Sequence, residues 1–147
     1  MTKKLFIGSD HGGVELKSQL IEFALEQDFN IQDLGPNSRD SVDYPDYAAK
    51  VGKEVVANDG SMGIAICRSG IGISISANKV KGVRAALVSC ERVAELSRLH
   101  NDANIICFGA DFIDAEEAKR SLMKFVSTDF EGGRHARRVD KLRDLEA

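Results

Sequence analysis

Five times along this chain a short apolar run gives way to a longer segment with helical spacing. That alternation limits the possible folds more than any other feature of the sequence. The apolar runs are residues 5–7, 29–34, 62–67, 84–88 and 104–108. The first intervening segment, residues 14–28, carries apolar residues at 14, 16, 20, 21, 24 and 25, a period close to 3.6. Residues 47–57 read as a second helix with Pro45 near its start, and a short third helix ends near Asn78. A fourth follows Ser89 or Cys90. Asp114 opens the fifth, and Glu117 three positions later fits a capping box. A polar helix over 134–145 closes the chain. Strand–helix alternation of this kind builds a parallel sheet through right-handed crossovers. The expected fold is therefore α/β: a three-layer Rossmann-like sandwich, a five-stranded parallel sheet with helices on both faces and a C-terminal helix. The 147 residues suit one domain, 1–147.

Composition removes several functional classes. With 43% hydrophobic and 29% charged residues the chain is neither disordered nor fibrous. A net charge of −3 argues against a dedicated nucleic-acid binder. No apolar stretch is long enough for a signal peptide or a membrane span, so a cytoplasmic protein without a membrane partner is expected. Cys67, Cys90 and Cys107 form no C-x-x-C pair and are expected as reduced thiols. The three histidines are far apart in sequence, and their spacing does not suggest a metal site.

In an open parallel sheet, ligands bind beyond the carboxyl ends of the strands. Three such ends carry chemistry here: Asp10-His11 after the first strand, residues 67–72 after the third, and residues 109–111 after the fifth. The segment Cys67-Arg68-Ser69-Gly70-Ile71-Gly72-Ile73-Ser74 joins a buried strand to a helix. Its backbone N–H groups can line a concavity suited to phosphate or a developing oxyanion. Cys67 is then either a thiolate facing that concavity or a small core cysteine beside a tight turn. Ile73 stands where a cysteine phosphatase loop requires Arg, and no G-x-G-x-x-G motif is present, so no nucleotide cofactor is expected. Asp10 is a ligand-side carboxylate or a helix cap. His100 is a working imidazole or a partner of its helix dipole. Arg134 and Arg138, one turn apart, either grip a phosphate together or line a solvated face.

Taken together, these motifs resemble ribose-5-phosphate isomerase type B, a family with relatives acting on allose 6-phosphate and galactose 6-phosphate. The resemblance rests on Ser9-Asp10-His11-Gly12-Gly13, Asp43-Tyr44-Pro45, Cys67-x-Ser69-Gly70-Ile71-Gly72-Ile73-Ser74, residues 96–102 and Gly132-Gly133-Arg134-His135 through Arg138-Val139. It implies a metal-free, cofactor-free aldose–ketose isomerase, a homodimer or a tetramer, with each active site completed by the partner chain. By the same resemblance, Cys67 is the base, and Ser69 with the backbone of Gly70, Ile71, Gly72, Ile73 and Ser74 holds the enediolate oxygens. His100 opens the sugar ring, helped by Asp10. Asn101 contacts the sugar, Tyr44 lines the site, and His11, Arg134 and Arg138 bind phosphate. A six-carbon 6-phosphate substrate and a non-catalytic sugar-phosphate sensor are the alternatives. Two positions depart from the family pattern: Arg68 replaces a usual glycine and Asp111 a usual arginine. Both lie at strand carboxyl ends and are expected to pair.

Overall fold

The computed structural model of the chain describes residues 3–146. Residues 1, 2 and 147 of the expected domain lie outside that span. The elements in order are β1 (Lys4–Ser9), α1 (Val14–Glu26), β2 (Asn30–Asp33), α2 (Tyr44–Ala57), β3 (Met62–Cys67), α3 (Ile71–Ala77), β4 (Ala85–Leu87), α4 (Glu91–Asn101), β5 (Ile105–Gly109), α5 (Ala115–Ser127) and α6 (Arg134–Asp144). A single 3-10 turn, His11–Gly13, leads into α1. The five strands form one parallel sheet in the order β2-β1-β3-β5-β4. β1 is followed by a neighbour on one side and flanked by β3 on the other. The chain therefore reverses direction across the sheet between β1 and β3, the switch point beyond whose carboxyl ends open parallel sheets bind ligands.

Strand parity divides the core into two clusters. Leu5, Ile7, Ile64, Ile66, Ile106 and Phe108 pack with α1, α4 and α5. Phe6, Ala65, Cys67, Ile105 and Cys107 pack with α2 and α3. Successive strand side chains alternate faces. Cys67, two residues beyond Ala65, is thereby committed to the α2/α3 side and to the last position of β3.

Several boundaries differ from the sequence expectation, each for a local reason. α2 begins at Tyr44 rather than 47, with Pro45 in its first turn, where a missing N–H costs nothing. α1 stops at Glu26, and Asp28 takes a left-handed conformation (φ 61°) before β2. The capping box at α5 is half formed. Asp114 accepts the Glu117 N–H at 2.8 Å, but the Glu117 carboxylate turns to the Glu91 N–H at 2.9 Å. It thus caps α4, whose own Cys90 supplies no side-chain cap. Arg120, with that N–H second, holds this carboxylate below its ordinary range.

Edge strand β4 is only three residues long, and side-chain amides hold it. Asn78 accepts the Ala85 N–H at 2.8 Å and donates to the Ala85 carbonyl at 3.0 Å. Asn104 does the same for the Arg84 N–H and the Gly82 carbonyl, at 2.8 and 2.9 Å. At the opposite edge the buried Lys17 ammonium meets both Asp33 carboxylate oxygens at 2.7 Å. Asp33 also accepts the Gly35 N–H, and the Gly35 carbonyl in turn accepts the Ser9 N–H. This relay fixes the β2–α2 loop beside Asp10.

Candidate active site

The residues singled out from sequence fall into two groups at opposite ends of the sheet. The first lies at the carboxyl ends of β1 and β3. Cys67 is buried, and its Sγ accepts the Gly70 N–H at 3.1 Å. That bond needs the chain to fold back within three residues, which Gly70 permits at φ +78°. Ser69 Oγ accepts the Ile71 N–H at 3.2 Å, and the Ser74 N–H bonds the Gly70 carbonyl. Gly70, Ile71 and Ser74 therefore have engaged N–H groups. Those of Gly72 and Ile73, at the start of α3, make no such bond.

Around this loop, Asp10 is buried and accepts the Gly12 N–H at 2.9 Å, so it caps the turn that opens α1. His11 Nδ1 accepts the Val42 N–H at 3.2 Å, which ties the β1 loop to the segment before α2. Tyr44 lies against Gly72, where an added Cβ would stand 2.6 Å from the phenol ring. The other thiol on this face, Cys107, is fully enclosed. Burial first, and the neighbouring Cys67 second, push its pKa up. Burial keeps Cys107 a thiol, which leaves Cys67 as the cysteine of this face that sits at the end of its strand beside the loop.

Arg68 and Asp111 meet. Arg68 Nε donates to Asp111 Oδ2 at 3.1 Å, within one chain, and both side chains are largely exposed. The Arg68 stem crosses Gly12, where an added Cβ would overlap its Cγ. The charged head is thereby led from the β3 loop to the β5 loop.

The second group lies at the amino ends of the strands. α4 connects two parallel strands and runs against them, so His100 and Asn101 at its end lie just before β5 begins. Ile105 pairs with Gly63 and Gly109 with Cys67. About 13 Å of strand thus separates the entry to β5 from the level of Cys67. His100 stacks on His135, with ring centroids 4.2 Å apart and planes 13° apart. The stack is reached from the Gly132-Gly133 turn, and Glu131 beside it donates its N–H to the Leu99 carbonyl. His135 and Val139 form the buried stripe of α6, while Arg134 and Arg138 are exposed. Neither arginine forms an ion pair among the described residues. Buried Arg98 ties the end of α4 to its surroundings through Asp102 Oδ1 (2.9 Å) and the carbonyls of Ala103 and Thr128 (2.6 and 3.0 Å).

Within one chain, then, the structure brings Cys67, Ser69, Asp10, His11, Tyr44 and the N–H groups of α3 together. It separately gathers His100, Asn101, Arg134 and Arg138. It does not bring Asp10 to His100. His135 and Glu131 were not assigned roles from sequence. The i, i+4 spacing of His135 and Val139 in a mostly charged helix is the signal that marks His135. No helix among the described residues is long and apolar enough to cross a membrane.

Comparison with known proteins adds to this geometry. A family model described as Ribose/Galactose Isomerase matches residues 5–142. The ribose-5-phosphate isomerase B of Escherichia coli is 39% identical over 144 residues, covering 98% of this chain and 97% of that protein. The ribose-5-phosphate isomerase B of Clostridium thermocellum superposes with a TM-score of 0.95 at 42% identity, covering 97% of each chain. A Mycoplasma genitalium ribose-5-phosphate isomerase B with bound ribulose-5-phosphate gives a TM-score of 0.95 at 44% identity, covering 99% of this chain and 97% of that one.

Proposed function

The chain belongs to the ribose/galactose isomerase family, and from that premise we propose that it interconverts D-ribose 5-phosphate and D-ribulose 5-phosphate through a cis-enediol, without metal or cofactor. The observation that carries this reading is the Cys67 sulfur, which accepts an N–H bond inside a loop built for anions at the carboxyl end of β3. An N–H donor aimed at the sulfur, at the last position of a buried strand, is an arrangement that a general base can use. The relative holding ribulose-5-phosphate supports the substrate class.

Two copies of the chain complete the site. Cys67 and His100 lie at opposite ends of one sheet, so a single sugar phosphate reaches both only if the partner supplies one of them. In this homodimer, His100 of one chain moves a proton between the ring oxygen and the anomeric hydroxyl and opens the furanose. Asp10 of the other chain assists from its capping position at the start of the turn. Cys67 then takes the proton from C2 and returns it to C1. The hydroxyl proton passes from O2 to O1, and the C1 carbonyl becomes the C2 carbonyl, so atoms and charge balance. The Ser69 hydroxyl and the free N–H groups of Gly72 and Ile73 face the enediolate oxygens. Asn101 contacts the sugar, Tyr44 lines the crevice, and His11, Arg134 and Arg138 hold the phosphate.

Assays of ribose 5-phosphate and allose 6-phosphate side by side test the reading. Turnover of the five-carbon sugar with a much weaker six-carbon reaction supports it. The reverse preference transfers the same chemistry to a longer substrate. Tight binding of both with no turnover means a sensor rather than an enzyme.

A further inference from the structure

The ring of His100 has no hydrogen bond among the described residues; what defines its plane is the stack on His135. His135 is only 4% exposed, in the first turn of α6, and its Nε2 is buried without a partner. With Glu131, the two imidazoles form a cluster in which one donor atom of each lies within 4.8 Å of the others. Two histidines and a carboxylate are a common zinc set. The geometry here favours another use. A ring nitrogen directs its lone pair in the ring plane, and two nearly parallel planes cannot converge on one ion unless a ring turns. Arg134 and Arg138 also add positive charge close by.

We propose that His135 is a positioning residue that fixes the ring plane of His100 by face-to-face stacking, so that the His100 nitrogen used for proton transfer stays aimed at the sugar ring. The proposal rests on the reading of His100 as the ring-opening group. Proton transfer requires an aligned donor and acceptor, and His100 sits at the end of α4 with no side-chain hydrogen bond among the described residues to orient its ring. The chemistry of His135 fits a silent support. An N–H at its buried Nε2 would be left unsatisfied, whereas a bare lone pair there costs less. Burial is the largest influence lowering its pKa. The facing groups are His100, Arg134 and Arg138, which also lower it, and Glu131, which opposes them. The fold therefore favours the neutral form of His135, which suits a support that takes no part in the proton transfer.

Because Nε2 bonds nothing, phenylalanine can replace His135 without losing a contact, whereas leucine keeps apolar volume and removes the ring. His135→Phe should stay within about threefold of the parent kcat on ribose 5-phosphate, while His135→Leu should fall about tenfold to a hundredfold with KM little changed. Erythrose 4-phosphate, which cannot form a furanose, should be turned over by both variants as by the parent. Equal kcat for the two variants on ribose 5-phosphate would overturn the proposal. So would a joint loss on both substrates with raised KM, which would mean a damaged phosphate grip. An activity-free measurement separates this idea from the function itself. Stacking displaces the His100 ring-proton resonance, and that displacement should persist in His135→Phe and vanish in His135→Leu. The same resonance in both variants would exclude the stack as the determinant, even if the parent turned over neither sugar.

Discussion

The two ends of the sheet are built by different means. At the carboxyl ends, the candidate residues sit on contiguous loops: Cys67 is placed by strand parity, Gly70 by its positive φ, and the α3 N–H groups by where the helix starts. At the amino ends nothing is contiguous. The end of α4, the segment around Glu131 and the first turn of α6 converge to place His100, His135, Arg134 and Arg138. The first arrangement is rigid because its backbone is hydrogen-bonded to itself and to the sheet. The second depends on side-chain packing between elements. The carboxyl-end group should therefore tolerate changes elsewhere in the molecule, and the amino-end group should be sensitive to whatever stacks beneath it.

The largest test of that contrast is at Cys67. Cys67→Ala should lower kcat about 10²–10⁴-fold, the range for a lost general base, with folding almost unchanged. Solvent-deuterium incorporation at the sugar carbons measures the step, and near-normal incorporation would remove Cys67 from it. Cys107→Ala, on the same face but kept protonated by burial, should leave the exchange intact.

Next in size is His100→Asn, with an expected loss on ribose 5-phosphate of about a hundredfold and a far smaller one on open-chain erythrose 4-phosphate. Equal losses would assign His100 to a step that the two substrates share, and the contrast between the ends would blur.

Most of the carboxyl-end group was legible in the sequence because its signals are local. A buried run ending in Cys, then Ser and Gly, then a helix start, is readable within eight residues. The pairing of Arg68 with Asp111 was legible too, since both follow strands that end on the same side. The use of the backbone was less so. That the Gly70 and Ile71 N–H groups are already engaged follows from how the loop folds on Cys67 and Ser69. At the other end, spacing placed the histidines far apart and gave no reason to join His100 to His135. Their contact depends on the α4–α6 packing, which no local pattern encodes. Glu117 illustrates the same limit: its capping-box spacing is correct, but a second helix end competes for its carboxylate and wins.

A smaller effect concerns pH. The folded-state pKa of His135 is lowered, so the neutral form is the one that the fold favours. Its contribution to stability is full above the unfolded value near 6.5 and is lost as pH falls through the lower folded value. Urea unfolding midpoints should drop between pH 7 and pH 5 in the parent and drop less in His135→Phe. Identical slopes would mean that other groups carry the acid sensitivity.

The smallest effect belongs to the exposed pair between the β3 and β5 loops. Arg68→Gly and Asp111→Ala, alone and combined, should show a coupling in KM of at most about 1 kcal/mol. Strict additivity would leave the two positions independent of each other in substrate binding.

The central claim is that one site is assembled from opposite ends of two chains, and mixing inactive variants tests it most directly. Cys67→Ala and His100→Asn chains are each expected to be inactive alone. After subunit exchange, each heterodimer should contain one intact site and one doubly damaged site. Activity should then recover to about a quarter of the parent value at equal mixing. No recovery, with heterodimers verified by mass, would put Cys67 and His100 of the same chain in one site and contradict the account.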